Sequence, residues 1–195
     1  IQSLREYYFT GGMPEAVKKH LDTNDTVQVR EVQQEILLAY DKDISKHAPT
    51  NEAVRINQVW KSIPSQLAKE NRKFVYGVLR KGARAKEFET AIQWLLDAGL
   101  VYKVERVGKP GMPLNCYADF SAFKLYMLDC GLLGAMNNMP PALMLLPNKM
   151  EESKGNFTEN FVCSQLHNCA SLSIFYYSKE NSTQEVDFVV QHDTE

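Results

Sequence analysis

Residues 84–119 constrain the fold of this 195-residue chain more than any other stretch. In "RAKEFETAIQWLLDAG", apolar residues recur at the spacing of a helix with one buried face; they are Phe88, Ala91, Ile92, Leu95 and Leu96. Gly99 supplies the cap that ends such a helix. The following "LVYKVERV" alternates as a strand does, and the turn "GKPGMP" leads to a predicted return strand, "LNCYAD". A helix followed by a two-stranded hairpin is therefore predicted.

The segment before that helix, "RKFVYGVLRKG", is predicted to be a short helix that ends at Gly82 and packs on the apolar face of the next one. Helix, helix and hairpin in this order are typical of a winged helix-turn-helix. We assign residues 51–136 to this winged-helix-like module. It includes a further helix, whole or broken near Pro64, and a strand, "FKLYM", that runs into a turn at Gly131.

The remaining residues give two further segments of an α+β chain whose N-terminal half is mostly helical. Residues 1–50 hold two helical patterns, one beginning at Pro14 and one ending before Pro49. A loop rich in Pro, Asn and Met covers residues 137–149 and marks a domain boundary. Residues 137–195 then contain a helix, "GNFTENFVCSQLHNCA", and a closing hairpin, "IFYYS" and "EVDFVVQ".

The closing strand carries a carboxylate, Asp187, among apolar residues, and the helix before it carries Glu159. Strand alternation predicts Val186, Phe188 and Val190 on one face and Glu185, Asp187 and Val189 on the other. If Glu159 and Asp187 converge, their oxygens would form a site for a hard cation such as Mg²⁺. Spacing alone favours the alternative, in which each acid meets a backbone amide or a lysine, or faces solvent.

Charge is balanced over the chain, with a net charge of -2, but it is uneven locally. Residues 72–109 contain nine basic and four acidic residues, a local charge of +5. Such a segment is either a solvated face, which we favour, or a surface that meets nucleic acid or an acidic partner. The basic residues predicted to contact DNA are Arg84, Lys86, Lys103, Arg106 and Lys109.

Several classes of function lack their motifs. The sequence has no G-x-x-x-x-G-K-[ST] loop, so we expect no ATP binding by this chain, and it has no G-x-G-x-x-G, H-E-x-x-H or G-x-S-x-G. Its four cysteines form no CxxC pair and indicate free, buried thiols of a reducing, cytoplasmic environment. No apolar run approaches the length of a membrane span, so no membrane partner is expected.

Five stretches together resemble one known family; they are "YYFTGGMPEAV", "LAYDKDISKHA", "KGARAKEFETAIQWLLDAGLVYKVERV", "MPLNCYADFSAFKLYMLDCGLL" and "EVDFVV". The family is the C-terminal region, of unknown function, that follows the nucleotide-binding domain in a group of bacterial and archaeal AAA-type ATPases. The resemblance covers nearly the whole chain. It agrees with an expectation from the ends of the sequence, that this is an internal fragment of a longer protein.

The resemblance implies an ATPase domain before Ile1 as a partner, with ATP and Mg²⁺ as cofactors of the parent protein and none in the fragment. Residues 1–50 would be lid or linker helices after that domain. Residues 137–195 would be the truncated start of a domain like the PD-(D/E)xK nucleases, whose restriction-endonuclease-like fold is α/β. Glu159 and Asp187 match its helix and strand acids, and its E-x-K strand would come after Glu195.

Three functions follow from these patterns, in the order in which we favour them. The first is a non-catalytic effector or interaction region of an ATPase, with a protein partner. The second is weak, sequence-tolerant DNA binding through the winged helix, which the acids Glu87, Glu89 and Asp97 on the predicted recognition helix oppose. The third is a metal-dependent DNA nuclease in the full-length protein, because the fragment lacks a complete nuclease motif.

Overall fold

Helices dominate the first half of the molecule and a four-stranded sheet the second, in a computed structural model that describes residues 2–146, 154–179 and 184–192. The fold is α+β, as predicted. The helices of the described residues are α1 (Gln2–Thr10), α2 (Pro14–Thr23), α3 (Thr26–His47), α4 (Ala53–Leu67), α5 (Ala85–Asp97), α6 (Cys130–Met136), α7 (Pro141–Leu145) and α8 (Lys154–His167). The strands are β1 (Val101–Val107), β2 (Ala118–Met127), β3 (Leu172–Ser178) and β4 (Glu185–His192).

The long helix α3 follows its sequence pattern closely. Asp25 caps its first turn, where the side chain accepts hydrogen bonds from the backbone N–H groups of Val27 and Gln28. Its inward positions are buried in the main core; they are Val29, Val32, Gln33, Leu37 and Ile44. The predicted helix before Pro49 is therefore confirmed.

The predicted helix over residues 72–82 is wrong. Only a single 3₁₀ turn forms there, at Tyr76–Val78. The side chain of Gln66 bonds both the N–H and the carbonyl of Val75, at 3.0 Å each, and the N–H of Phe74 bonds the carbonyl of Phe123 on β2. These contacts hold the segment extended, and its valines and Gly77 have low helix propensity.

Helix α5 buries the predicted face but packs on a different neighbour. Phe88, Ile92 and Leu95 are buried, as expected. Because no helix forms at 72–82, α5 instead packs on α4, with the ring of Tyr76 beside Phe88. Helix α4 continues through Pro64 to Leu67, so the alternative of a break near that proline is wrong.

Truncation of Leu95 tests this packing. The side chain is fully buried in the main core, so Leu95→Ala is expected to lower the free energy of unfolding by about 2–5 kcal/mol, as for other buried leucines. Chemical denaturation measures the change. Leu38→Ala, on an exposed position of α3, is the matched control and should cost under about 0.5 kcal/mol. Equal losses for the two variants would contradict the assignment of the buried face.

The four strands form one mixed sheet in the order β2-β1-β3-β4. The pairs β1–β2 and β3–β4 are antiparallel, whereas β1–β3 is parallel. The chain between β1 and β3 includes α8, which packs on β1, β2 and β3. The sheet thus combines β1 and β2, which precede the predicted boundary at residues 137–149, with β3 and β4, which follow it. The division of the chain into three functional parts stays a prediction.

Two details around β2 differ from the sequence prediction. The predicted return strand "LNCYAD" is mostly a 3₁₀ turn, Leu114–Tyr117, and β2 instead runs on through "FKLYM" to Met127. The predicted turn at Gly131 lies within helix α6, because Asp129 caps that helix by accepting a hydrogen bond from the N–H of Leu132. The Asp129 cap is a local signal for the start of a helix, and the sequence analysis did not use it.

The described residues contain no helix that is long and apolar enough to cross a bilayer. All four cysteines are free, as predicted. Cys130 and Cys163 are buried, but Cys116 and Cys169 are exposed, so the prediction of buried thiols holds for two of the four.

Candidate functional site

The two acids singled out in the sequence meet at a buried lysine, Lys124 on β2. Its ammonium Nζ lies 3.6 Å from Glu159 Oε2 on α8 and 3.1 Å from Asp187 Oδ1 on β4. Glu185, also on β4, approaches the same nitrogen at 2.5 Å. The Lys124 side chain is 0% exposed. The structure therefore brings Glu159 and Asp187 together, with an ammonium between them.

Further polar groups complete what we call the Lys124 cluster: Lys124, Glu159, Glu185, Asp187, Tyr126 and Arg72. The Tyr126 hydroxyl donates to Glu159 Oε2 at 3.0 Å. The Arg72 guanidinium lies 2.7 Å from the other oxygen of Glu159 and also donates to Asn156 at 3.2 Å. Three carboxylates thus face two cations, and Glu159 contacts both of them.

Helix α8 is fixed over this part of the sheet by Asn160. Its side-chain oxygen accepts from the N–H of Met127 at 2.8 Å, and its amide nitrogen donates to the carbonyl of the same residue at 3.0 Å. Gly155 leaves space for the guanidinium of Arg72, since a Cβ there would lie 2.5 Å from Arg72 Nη2. The position of α8 and the absence of a side chain at Gly155 together place Glu159 between Lys124 and Arg72.

A β-bulge in β4 aims Asp187 at Lys124. Phe175 pairs with Val189 and Tyr177 with Val186, so two residues of β4, Asp187 and Phe188, stand opposite Tyr176. The consecutive side chains of Asp187 and Phe188 consequently point to the same side of the sheet. Asp187 contacts Lys124 on β2, and the Phe188 ring lies 5.8 Å from the ring of Tyr126.

The predicted alternation of β4 is therefore wrong at its centre. Phe188 packs against the main core, whereas Val186, expected on the same face, lies beyond the bulge and is 49% exposed. Val190 keeps the predicted face with Phe188, because it pairs with Ile174, which also packs against the main core. The bulge shifts the register by one residue, and such a shift exchanges the faces of all side chains beyond it.

Burial governs the protonation of the cluster. Burial raises the pKa of Glu159, and the nearby Asp187 charge raises it further, while Lys124 and Arg72 lower it. Burial also raises the pKa of Tyr126, and the adjacent Glu159 carboxylate adds to this effect because a tyrosinate there would meet a like charge. Tyr126 is thereby kept neutral as a hydrogen-bond donor to Glu159.

The residues of the cluster do not fit a bound Mg²⁺. In the described ranges, no three or more His, Cys, Asp or Glu side chains are arranged to hold a metal ion. Lys124 supplies the positive charge that a metal would otherwise bring, and a divalent cation beside its ammonium would be repelled. The predicted pairing of Glu159 and Asp187 stays a prediction as a metal site.

Lys124 was missed by the sequence reasoning, although a signal existed. It is a lone charge in the apolar run "AFKLYM", the same type of signal that singled out Asp187. A buried lysine needs a buried acid. Lys124 and Asp187, two lone charges of opposite sign in apolar strands, could have been paired on that ground. In contrast, nothing in the sequence around Arg72 predicts its contact with Glu159.

The five predicted DNA-contacting residues divide into two groups. Lys103 and Arg106 lie on β1 and pair with Glu105 at 2.8 Å and Asp119 at 2.5 Å. Arg84 precedes α5, Lys86 lies within it, and Lys109 follows β1; none of these three makes an ion pair in the described part of the chain. Bonds from Ser121 and Arg106 hold the pKa of Asp119 below its usual range, so this acid stays ionised and neutralises Arg106.

A groove, which we call the α5 groove, separates α5 from the β1–β2 hairpin and has a volume of about 340 Å³. Its largely apolar lining includes Tyr76, Ile92, Leu96, Phe120 and Phe123. Glu89 of α5 and Lys103 of β1 also line it. In β2, residues 120–122 bulge out between the pairs Glu105–Phe123 and Arg106–Asp119, and this leaves the Phe120 ring 66% exposed beside the groove.

Comparison with known proteins gives one family and one short relative. A family model described as a domain of unknown function (DUF8612) matches residues 1–143. A stretch of 51 residues is 35% identical to the Nicotinate-nucleotide--dimethylbenzimidazole phosphoribosyltransferase of Vibrio parahaemolyticus serotype O3:K6 (strain RIMD 2210633). That stretch covers 26% of this chain and 15% of that enzyme. No solved structure matches the chain.

Proposed function

Since the chain belongs to the family of the domain of unknown function DUF8612, whose description assigns no activity, we propose its function from geometry: a non-catalytic interaction region that binds a protein partner. The observation that carries the proposal is Phe120, a ring two-thirds exposed beside the apolar α5 groove. Exposed aromatic rings next to apolar pockets are typical anchors of protein interfaces.

The partner that fits the α5 groove is a protein segment with an apolar anchor residue and a basic residue. The apolar residue would pack against Phe120 and Phe123, and the basic residue would face Glu89, which is exposed and makes no ion pair among the described residues. In keeping with the resemblance to regions that follow AAA-type ATPase domains, we assign this role to the ATPase domain of the parent protein, which would use ATP and Mg²⁺.

The polar residues support a non-catalytic role for the chain itself. The acids of the Lys124 cluster are occupied by Lys124 and Arg72, and the lysine is fully buried. A catalytic carboxylate or lysine must reach a substrate within hydrogen-bond distance. Lys124 and Glu159 are too buried for this, whereas the Asp187 side chain is 48% exposed. We assign to the ion pairs of the cluster the role of joining α8, β2 and β4.

Removal of the Phe120 ring tests the proposed interface. The partner to be tested is the ATPase domain that the resemblance implies before Ile1, and a reading frame without a P-loop domain there would contradict the proposed arrangement. Phe120→Ala should weaken binding of that domain at least tenfold by calorimetry, as expected for an interface anchor worth about 2 kcal/mol or more. Leu38→Ala, on an exposed position of α3, is the control and should leave the affinity unchanged. Equal affinities for Phe120→Ala and the wild type would exclude the α5 groove.

DNA binding is the alternative, and Arg84, Lys86 and Lys109 are the residues that support it, because they are not neutralised by acids of the described chain. Their replacement by Glu should abolish any binding of a duplex, measured by fluorescence anisotropy. Wild-type binding would have to fall steeply between about 50 and 200 mM salt, since bound lysines and arginines displace counterions. Strong, salt-dependent binding that the triple variant loses would favour DNA over a protein partner.

Metal-dependent DNA cleavage by the full-length protein is a third candidate, favoured by one observation. Glu159 from a helix and Asp187 from a strand converge on a lysine, the residue types that the resemblance to PD-(D/E)xK nucleases implies. Because Lys124 already neutralises both acids, we rank this function last. Nicking of plasmid DNA by the full-length protein with Mg²⁺, lost in Asp187→Asn, would raise it to first.

A further inference from the structure

A surface groove runs between the C-terminal half of α3 and helix α4. It consists of two adjoining hollows of about 540 and 490 Å³, which share Ser45, Asn57 and Lys61. We call it the α3–α4 groove. None of its lining residues belongs to the Lys124 cluster or to the α5 groove. It is therefore a separate surface, and what binds there does not depend on the function proposed for the α5 groove.

One half of the α3–α4 groove is positively charged. Lys42, Lys46 and Lys61 line it, and Asp41 is the one acid among its described lining residues. Asp41 pairs with Lys61 at 3.1 Å. Lys42 and Lys46 are exposed, lie one turn apart on α3, and make no ion pair in the described part of the chain. Like charges at this spacing repel each other, so carboxylates of another molecule would relieve an unfavourable pair.

The other half of the α3–α4 groove is apolar. Ala53 and Val54, in the first turn of α4, line it together with Lys61, whose side-chain stem is apolar. Val54 is 67% exposed. Covering such a side chain removes apolar surface from water and favours association. A cationic half next to an apolar half therefore suits a partner that carries both acidic and apolar residues.

The shape of the α3–α4 groove is set by contacts that need no partner. The rings of Tyr40 on α3 and Trp60 on α4 meet edge to face, with their centroids 6.2 Å apart. The N–H of Ala53 bonds the carbonyl of Pro49 at 3.0 Å, which ties the start of α4 to the loop after α3. The Asn57 side chain donates to the Ala53 carbonyl at 3.0 Å. A surface that is already formed loses little conformational freedom when a partner binds.

We propose that the α3–α4 groove binds a short protein segment in which acidic residues flank apolar ones. Carboxylates of the segment pair with the ammonium groups of Lys42 and Lys46, and its apolar residues cover Val54. Nucleic acid fits this groove less well. A phosphate backbone would leave Val54 uncovered, and none of the described lining residues is aromatic, so bases could not stack there.

The test titrates three synthetic peptides into the full chain and follows amide chemical shifts. They are acetyl-EELLEE-amide, acetyl-EEGGEE-amide without large apolar side chains, and acetyl-KKLLKK-amide with reversed charge. Saturable shifts at Lys42, Lys46 and Val54 are expected with the first peptide, and binding at least tenfold weaker with the other two. Absence of saturable shifts with the first peptide, or equal binding of all three, would overturn the proposal. Displacement of the first peptide by an equal concentration of duplex DNA would also overturn it, in favour of nucleic acid.

A double variant, Lys42→Glu with Lys46→Glu, separates the groove from the overall charge of the chain. It should bind acetyl-EELLEE-amide at least tenfold more weakly than the wild type, because two attractions become repulsions. Lys18→Glu with Lys19→Glu, on α2, is the matched control, since it changes the net charge equally and should leave the affinity unchanged. None of the four lysines is buried, so both variants should keep the wild-type fold. Equal weakening in the two double variants would show attraction by net charge alone and overturn the assignment to the α3–α4 groove.

Discussion

Replacement of Lys124 by methionine is expected to lower the free energy of unfolding by about 3–5 kcal/mol at pH 7, because removing one partner of a buried ion pair leaves charge without compensation. Methionine retains the length of the lysine stem, so little packing is lost. Glu159, Glu185 and Asp187 all contact the Lys124 ammonium. In the variant Arg72 is the one cation that remains near Glu159 in the described part of the chain, beside the neutral Tyr126 hydroxyl. Chemical denaturation of the two proteins measures the difference.

The loss in Lys124→Met should shrink as the pH falls. Burial already raises the pKa of Glu159, and Lys124 is the main group that opposes this rise. Without the lysine the pKa rises further, so the folded variant binds a proton at pH values where the unfolded chain, with a glutamate pKa of about 4.3, does not. Stability of the variant relative to the wild type must therefore fall as the pH rises above about 4.3. Chemical denaturation of both proteins at pH 5 and at pH 7 gives the loss of unfolding free energy at each pH. The loss at pH 5 should be the smaller one.

Lys103→Met is the matched control for Lys124→Met. Lys103 also pairs with a glutamate, Glu105 at 2.8 Å, but its side chain is 26% exposed. Partly exposed pairs contribute about 0–1 kcal/mol, so the control should show a small loss with little pH dependence. Equal losses in the two variants would contradict the buried cluster. A rise in the melting temperature of Lys124→Met, but not of the wild type, on addition of Mg²⁺ would identify the three carboxylates as a cation site that the lysine keeps closed.

Elements with a strong local pattern could be predicted from the sequence. The apolar spacing of α3 and α5 sufficed because both helices bury one face and keep the other in solvent. The residues 72–82 carried a weaker helical pattern. There the hydrogen bonds of Val75 with Gln66, and of Phe74 with Phe123, replaced those of a helix. Long-range partners of this kind override local propensity and leave no local signal.

The candidate site could be predicted in part. Asp187 was recognisable as a charge in an apolar strand, and Glu159 as an acid on the helix that precedes this strand. Their meeting point was not recognisable, because Lys124 lies on the opposite edge strand of the sheet and reaches β4 only across β1 and β3, with its ammonium 5.0 Å from the Tyr176 ring. The bulge that turns Asp187 toward the lysine is likewise set by pairing with β3 rather than by residue type.

Gly11→Ala is expected to lower the free energy of unfolding by about 2–5 kcal/mol, through two effects at one position. The residue has φ +74, where an L side chain costs roughly 1–2 kcal/mol. Its Cβ would also lie 2.2 Å from Oδ1 of Asp129, and such overpacking costs about 1–3 kcal/mol. Asp129 cannot easily move, because it accepts from the N–H groups of Gly12 at 2.6 Å and Leu132 at 2.9 Å.

Gly82→Ala and Gly99→Ala isolate the backbone effect. Both glycines also have positive φ, 79° and 68°, but a Cβ at either position meets no atom within 4 Å. Each control should therefore lose only the cost of the backbone conformation, roughly 1–2 kcal/mol in denaturation experiments. If Gly11→Ala lowers the free energy of unfolding no more than these controls do, the Asp129 side chain moves away from the added methyl group at little cost.

A double-mutant cycle assigns the remaining loss in Gly11→Ala to the Asp129 carboxylate. Asp129→Ala alone should destabilise the protein, because it leaves the N–H groups of Gly12 and Leu132 without their acceptor. It also removes the atoms that a Cβ at position 11 would meet. In that background Gly11→Ala should cost no more than Gly82→Ala, which corresponds to a coupling of about 1–3 kcal/mol. The contact between the turn after α1 and the cap of α6 joins the stretches "FTGGMP" and "LDCGLL", in which Gly11 and Asp129 lie 118 residues apart. Additive losses of the two substitutions would contradict this contact.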